Sequence, residues 1–149
     1  MSVSAACARR RRWMRVAAVL AAVPGLGFGV FCPPAIWYFV RYEQVWYTFG
    51  FPTYGNGPFE RMGVPTSAPL LSAFLLVCVT ELAAAWLLWR LRPAGVRLAT
   101  VLLPFEFAFW IGFALPFGPV FGAARTLALL RLRGASGTSP MHRNPRCTS

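Results

Sequence analysis

The chain contains no lysine and no aspartate: its 15 cations are all arginine and its four anions all glutamate. It has one histidine, His142, and four cysteines, Cys7, Cys32, Cys78 and Cys147, with no close pair and no Cys-x-x-Cys. Each shortage excludes a kind of chemistry. Without aspartate a Ser–His–Asp set cannot be assembled. A single histidine and four scattered cysteines do not supply the ligand cluster of a zinc site. No glycine-rich loop stands between a strand and a helix to cradle a phosphate. Catalysis by this chain alone is therefore not expected and no metal is implied; the cysteines are expected to act as small, unpaired apolar residues.

Charge as a whole is scarce. Charged residues make up 13% of the 149, while 57% are hydrophobic and mean hydropathy is +0.54. A soluble domain carries about 25% charge, so soluble, disordered and collagen-like classes are excluded. Ile and Asn occur twice each, whereas Ala, Gly, Pro and Arg abound. Those are residues of GC-rich codons, which points to a high-GC bacterial genome and hence to a plasma membrane.

What is present is a series of long apolar runs. Residues 1–15 are a basic tail holding Arg9, Arg10, Arg11, Arg12 and Arg15. The 25 residues 16–40 carry no charge and suffice for about 30 Å of hydrocarbon at ~1.5 Å per residue. Pro24 predicts a kink, and Pro33-Pro34 a break and restart. Residues 41–69 form a long connection rich in aromatic and turn residues. A 20-residue span at 70–89 is followed by a tight basic turn at 90–97 and an 18-residue span at 98–115. Residues 120–132 are apolar but reach only about 20 Å, and they contain Arg125. The Gly/Ser/Thr/Pro tail at 133–149 is expected to be disordered.

Arginine placement sets the threading, because basic residues near span ends stay on the cytoplasmic side. The N-terminal tail carries +5, the 90–97 turn +3, and Arg131, Arg133, Arg143 and Arg146 a further +4. The 41–69 connection balances Arg41 and Arg61 against Glu43 and Glu60. Holding all the basic segments on one side requires an even number of crossings. Residues 120–132 therefore return across the membrane by extending at their ends, thinning the bilayer or re-entering. The expected fold is all-α: one integral membrane bundle of four transmembrane helices over 16–132, the fourth short or re-entrant. It is a multi-pass protein of the plasma (inner) membrane with both termini cytoplasmic. Anionic lipid headgroups are the natural partner of the basic side, and since this placement is topogenic, nucleic acid is not expected as a partner. Arg10-Arg11-Arg12-Trp13-Met14 before an apolar run loosely resembles a twin-arginine export signal. No small-x-small site closes that run, and Phe31 before Cys32 makes a poor lipoprotein site, so an uncleaved signal anchor is expected.

Three charged residues fall inside the spans: Glu81, Glu106 and Arg125. Glu81 and Glu106 lie symmetrically about the basic turn, eight residues from Trp89 and from Leu98 respectively. An antiparallel hairpin puts both carboxyls at one depth, about 12 Å from its cytoplasmic end. A charge near a span centre costs on the order of 3 kcal/mol, and protonating a glutamate at pH 7 costs roughly 4 kcal/mol. Two such residues therefore need partners, either a shared proton or an ion pair with Arg125. Three readings stand beside one another: a polar cluster that fixes helix packing, a proton-linked or ligand-polarising site, and glutamates that snorkel to water. The aromatic residues of 42–59 read as an interfacial belt or as a folded outer cap lining an entry for an apolar ligand. Ala83, Ala84 and Ala85 beside Glu81 permit close helix approach.

Residues 35–130 resemble the DoxX-like family of small four-helix membrane proteins. The matching features are Gly63-Val64-Pro65 before the second span, Glu81 inside it followed by Ala-Ala-Ala-Trp-Leu-Leu, the Arg-rich turn with Pro-Ala-Gly from Arg90 to Arg97, and an apolar third span. Arg41 is the nearest counterpart of a lysine that members often carry near the end of the first span. Pro104-Phe-Glu-Phe107 and the aromatic connection lie outside the resemblance. Members have been linked to quinone-connected or thiol-redox membrane complexes. The resemblance thus implies an accessory subunit, transfers no catalytic residue beyond a role for Glu81, and admits quinone as a cofactor where the residues themselves identify none. A membrane-protein partner or a homo-oligomer is expected. The function expected is a non-catalytic subunit or modulator of a membrane redox assembly. The alternative is a small proton-coupled carrier or channel component using Glu81 and Glu106.

Overall fold

Helices dominate the computed structural model, which describes residues 3–48 and 50–134. They are α1 Val3–Gly29, α2 Cys32–Tyr42, α3 Pro58–Arg61, α4 Ala68–Trp89, α5 Pro93–Gly112 and α6 Gly118–Gly134. Between α2 and α3, β1 Tyr47–Thr48 pairs antiparallel with β2 Phe51–Pro52, Tyr47 opposite Pro52 and Thr48 opposite Phe51. The fold is therefore mostly helical with one minimal ladder, not purely α. Among the described residues three helical segments are long and apolar enough to cross a membrane: Cys7–Tyr42, Ala68–Trp89 and Pro93–Gly112. That is the build of a helical membrane protein.

Several boundaries differ from those read in the sequence, each for a local reason. Residues 3–15 are helix and not a tail, since Ala and Arg are strong helix formers and Met14, buried with Ala17 and Ala18, anchors this stretch to the core. Pro24 sits inside α1 without ending it. The chain breaks at Val30-Phe31 and restarts at Cys32, with Pro33 and Pro34 in the first turn, where a missing N–H breaks no helical bond. The basic turn contracts to Arg90, Leu91 and Arg92, with Leu91 at φ 58°, because Pro93 opens α5 directly. Ser67 caps α4 by accepting from the Leu70 N–H at 3.4 Å. The last helix extends at both ends to 17 residues, about 25 Å. The terminal segment expected to be disordered lies, past residue 134, outside the described residues, as do His142 and Cys147.

Packing follows from side-chain size. α1 lies against α4 and α6, and α5 lies against the same two, so the four long helices close a ring in which α4 and α6 are not neighbours. α2 rests on α4, and α3 on α5. Near the 90–92 turn the core is built from Ala17, Ala18, Ala84, Ala99 and Ala128 with Met14, Leu88 and Leu129. Small residues there let backbones approach: a Cβ on Gly95 would stand 2.6 Å from the Leu88 nitrogen. At the opposite end the core is aromatic, with Tyr54, Phe74, Trp110 and Phe113 around Cys32 and Cys78.

Candidate functional site

Glu81, Glu106 and Arg125 lie between the alanine-rich and aromatic halves, on three different helices. With the turn at 90–92, Glu81 stands eight residues before the end of α4 and Glu106 thirteen residues into α5. Their backbones therefore differ in depth by roughly 8 Å, not the equal depth expected from the longer turn. Side-chain direction closes the gap. Side chains lean toward the N-terminus of their helix, so in this antiparallel hairpin Glu81 leans away from the turn and Glu106 leans toward it.

Arg125 fills the space between them. Its Nη1 donates to Glu81 Oε1 at 2.9 Å and to Glu106 Oε1 at 3.1 Å, and its Nη2 donates to Glu106 Oε2. All three residues are at most 1% exposed. The guanidinium fork thus holds one carboxylate through both oxygens and the other through one, the geometry in which arginine outperforms lysine. Because α4 and α6 do not pack directly, the Arg125–Glu81 contact is the polar strut across the ring. Two carboxylates and one guanidinium leave the cluster with a formal charge of −1, and Arg125 Nε has no hydrogen-bond partner among the described residues.

The placement of Arg125 depends on two glycines. The indole of Trp110, on α5, lies over Gly118 and Gly122 of α6, and a Cβ on Gly122 would stand 2.5 Å from the ring. This lets α6 approach α5 closely enough for Arg125, three residues further on, to reach both acids. Gly122→Val should therefore destabilise the protein by about 1–3 kcal/mol through overpacking. Gly27→Ala, where an added Cβ meets nothing within 4 Å, should leave it unchanged or slightly more stable. Thermal melting in detergent compares the two, and equal melting temperatures would show that the Trp110–Gly122 contact does not position α6. The sequence reading did not single out Trp110, Gly118 or Gly122, although Gly118-x-x-x-Gly122 is a legible small-x-x-x-small signal.

The aromatic connection divides into two parts. Tyr54 is buried; its hydroxyl donates to the Phe28 carbonyl at 2.5 Å, and its ring centroid lies 5.3 Å from Phe74 and 5.6 Å from Phe113. It is a further donor to a carbonyl at the end of α1 that also accepts from the Phe31 N–H at 3.2 Å, and burial pushes its phenol up from the ordinary value. Gly57 meets the Gly112 carbonyl closely. Tyr47 and Phe51, in contrast, remain exposed. Part of the connection is thus a folded cap that seals the aromatic core, and part faces outward.

Cys32 and Cys78 are free and buried. Cys7 is disulfide-bonded, which corrects the expectation of four unpaired thiols. Three surface cavities lie away from the charged cluster. One of about 570 Å³ is lined by Tyr38, Gln44, Val45, Trp46, Tyr47 and Asn56. Another of about 480 Å³ includes Glu43, Glu60 and Thr66. The smallest, about 80 Å³, is lined by Cys7, Arg10, Arg11, Met14 and Leu91. None of the three is lined by Glu81, Glu106 or Arg125. Comparison with protein-family models, curated proteins and solved structures finds no match.

Proposed function

We propose that this chain is a non-catalytic subunit or modulator of a membrane redox assembly. In this reading it is a four-helix transmembrane bundle of the bacterial plasma (inner) membrane, with α6 as the short fourth span. The observation that carries the non-catalytic part is the complete burial of Glu81, Arg125 and Glu106, whose charges are directed at one another. A polar group so enclosed joins helices and presents no reactive atom to a ligand. The redox association rests on the resemblance of residues 35–130 to the DoxX-like family. A quinone does not fit the charged cluster, onto which none of the three cavities opens. It fits the outer cavity, where the Tyr38, Trp46 and Tyr47 rings offer stacking surfaces and the Gln44 and Asn56 amides offer donors to its carbonyls.

The arginine distribution supports cytoplasmic termini. The Cys7 disulfide opposes it, because disulfides persist in oxidising compartments. A C-terminal fusion to a reporter that folds only in the cytoplasm decides between them, with signal expected. For function, the protein should be extracted gently from native membranes and what accompanies it identified by native mass spectrometry. A retained quinone or a redox-enzyme partner is the expected result. A lone chain, or a homo-oligomer carrying only phospholipid, overturns the subunit reading.

The formal −1 of the cluster supports a second reading, a proton-coupled carrier in which the glutamate pair takes up and releases one proton. Under it, Glu→Gln variants fold normally and lose pH-dependent flux in proteoliposomes. Under the packing reading the same variants change stability and leave flux without a pH-dependent change.

A further inference from the structure

The smallest cavity lies at the basic end, between α1 and the 90–92 turn. Cys7, Arg10, Arg11 and Met14 recur at helical spacing and share one face of α1. That face continues through Met14, Ala17, Ala18 and Ala21, all buried against the rest of the molecule. Arg10, exposed, and Arg11, half-buried, carry that stripe one turn past the core to the edge of the bundle. Their wall of the cavity faces Leu91 across a space of about 80 Å³, room for one compact group.

No side-chain carboxylate of the chain is available to these two guanidiniums. The four glutamates are Glu81 and Glu106, bound to Arg125, and Glu43 and Glu60, both in the 41–69 connection, with Glu60 accepting from Thr66 at 2.7 Å. Arg90 and Arg92 flank Leu91 and add to the positive field. Rings mark the level of this end in a bilayer. The Arg15 guanidinium lies 5.5 Å from the Trp89 ring centre, and that of Arg90 lies 5.2 Å from Trp86. Tryptophan with stacked arginine is the chemistry of the headgroup layer.

We propose that this cavity is a binding site for the phosphodiester of an anionic phospholipid, held by the Arg10 and Arg11 guanidiniums above Met14 and Leu91. Guanidinium forks match phosphate oxygens in pairs, and the apolar floor excludes water from beneath the anion. Exposed Val16 and Val19 further along α1 give the acyl chains an apolar flank. The proposal deepens the anionic-lipid partnership of the membrane reading and rests on this chain being a membrane protein. It does not depend on the redox partner or on the orientation of the termini.

The full chain in a maltoside detergent is offered equal amounts of phosphatidylglycerol and phosphatidylcholine with identical acyl chains, and retention is read by native mass spectrometry. Phosphatidylglycerol should be retained roughly tenfold or more over phosphatidylcholine. R10Q/R11Q should bring the two to parity. R10K/R11K, which keeps the charge and loses the fork, should fall between and guards against misfolding of the glutamine variant. R41Q/R61Q in the outer connection, matched in charge, should keep the full preference. Equal retention by the unaltered protein, or an unchanged preference in R10Q/R11Q, overturns the site. Displacement of phosphatidylglycerol by millimolar inorganic phosphate assigns the cavity to a free anion and overturns the lipid as occupant. Loss of the redox partner in the native-membrane experiment leaves this result untouched, so the two readings fail separately.

Discussion

Arg125→Met alone should abolish stable folding or cost about 3–5 kcal/mol, the penalty for leaving buried charge without its partner. The substitution preserves volume and apolar packing against the alanine-rich layer, so the loss is electrostatic. Glu81 and Glu106 would then stand in a dry core with no cation, and α4 would lose its strut to α6. The triple variant Arg125→Met, Glu81→Gln, Glu106→Gln removes every charge of the cluster and should recover most of the loss. Replacing a whole buried ion cluster by neutral groups is often harmless where breaking it is not. Thermal melting and monodispersity in detergent report both variants. A stable single variant, or a triple variant as unstable as the single, would show that the cluster does not hold the helices as described.

The second large effect is an asymmetry between the two acids. Glu106 engages Arg125 through both carboxylate oxygens and Glu81 through one. Glu106→Gln places an amide NH₂ against a guanidinium donor and ends the two-point contact, an expected loss of about 1.5–3 kcal/mol. Glu81→Gln keeps a carbonyl oxygen for Nη1 and leaves a neutral one-to-one pair behind it, so its effect should stay within about 1 kcal/mol. Equal losses, or a larger loss at Glu81, would contradict this geometry. The same variants in proteoliposomes separate packing from proton coupling, because a carrier needs both glutamates for pH-dependent flux whatever their effect on melting.

The apolar runs were legible because membrane spans are read from length and the absence of charge, and α4 and α5 each overlap the expected segment closely. The three charges inside the apolar runs were legible for the same reason, since a charge stands out against apolar surroundings. Their mutual geometry was not, because it depends on the true length of the basic turn and on the opposite lean of side chains in antiparallel helices. The first turns of α1 are not legible, because a run of arginines reads as polar tail, while local helix propensity and the packing of Met14 decide otherwise. Tyr54 could not be told from Tyr47 or Phe51: all three sit among glycines and prolines, and only the fold places one ring over the end of α1. The closeness of Gly118 and Gly122 to Trp110 was also hidden, since a small-residue spacing names one face of a helix and not the neighbour that rests on it.

The order of the cluster along the chain has a consequence for how the protein is made. Glu81 precedes Arg125 by 44 residues and Glu106 precedes it by 19. During synthesis both acids leave the ribosome before Arg125, the cation that pairs with them, exists. The α4–α5 hairpin at that stage carries two carboxyls at an insertion cost on the order of 3 kcal/mol each. It must wait at the insertion machinery, or hold two borrowed protons, until α6 arrives. Helix α6, translated after both acids, is thus the one that releases the other two into the lipid.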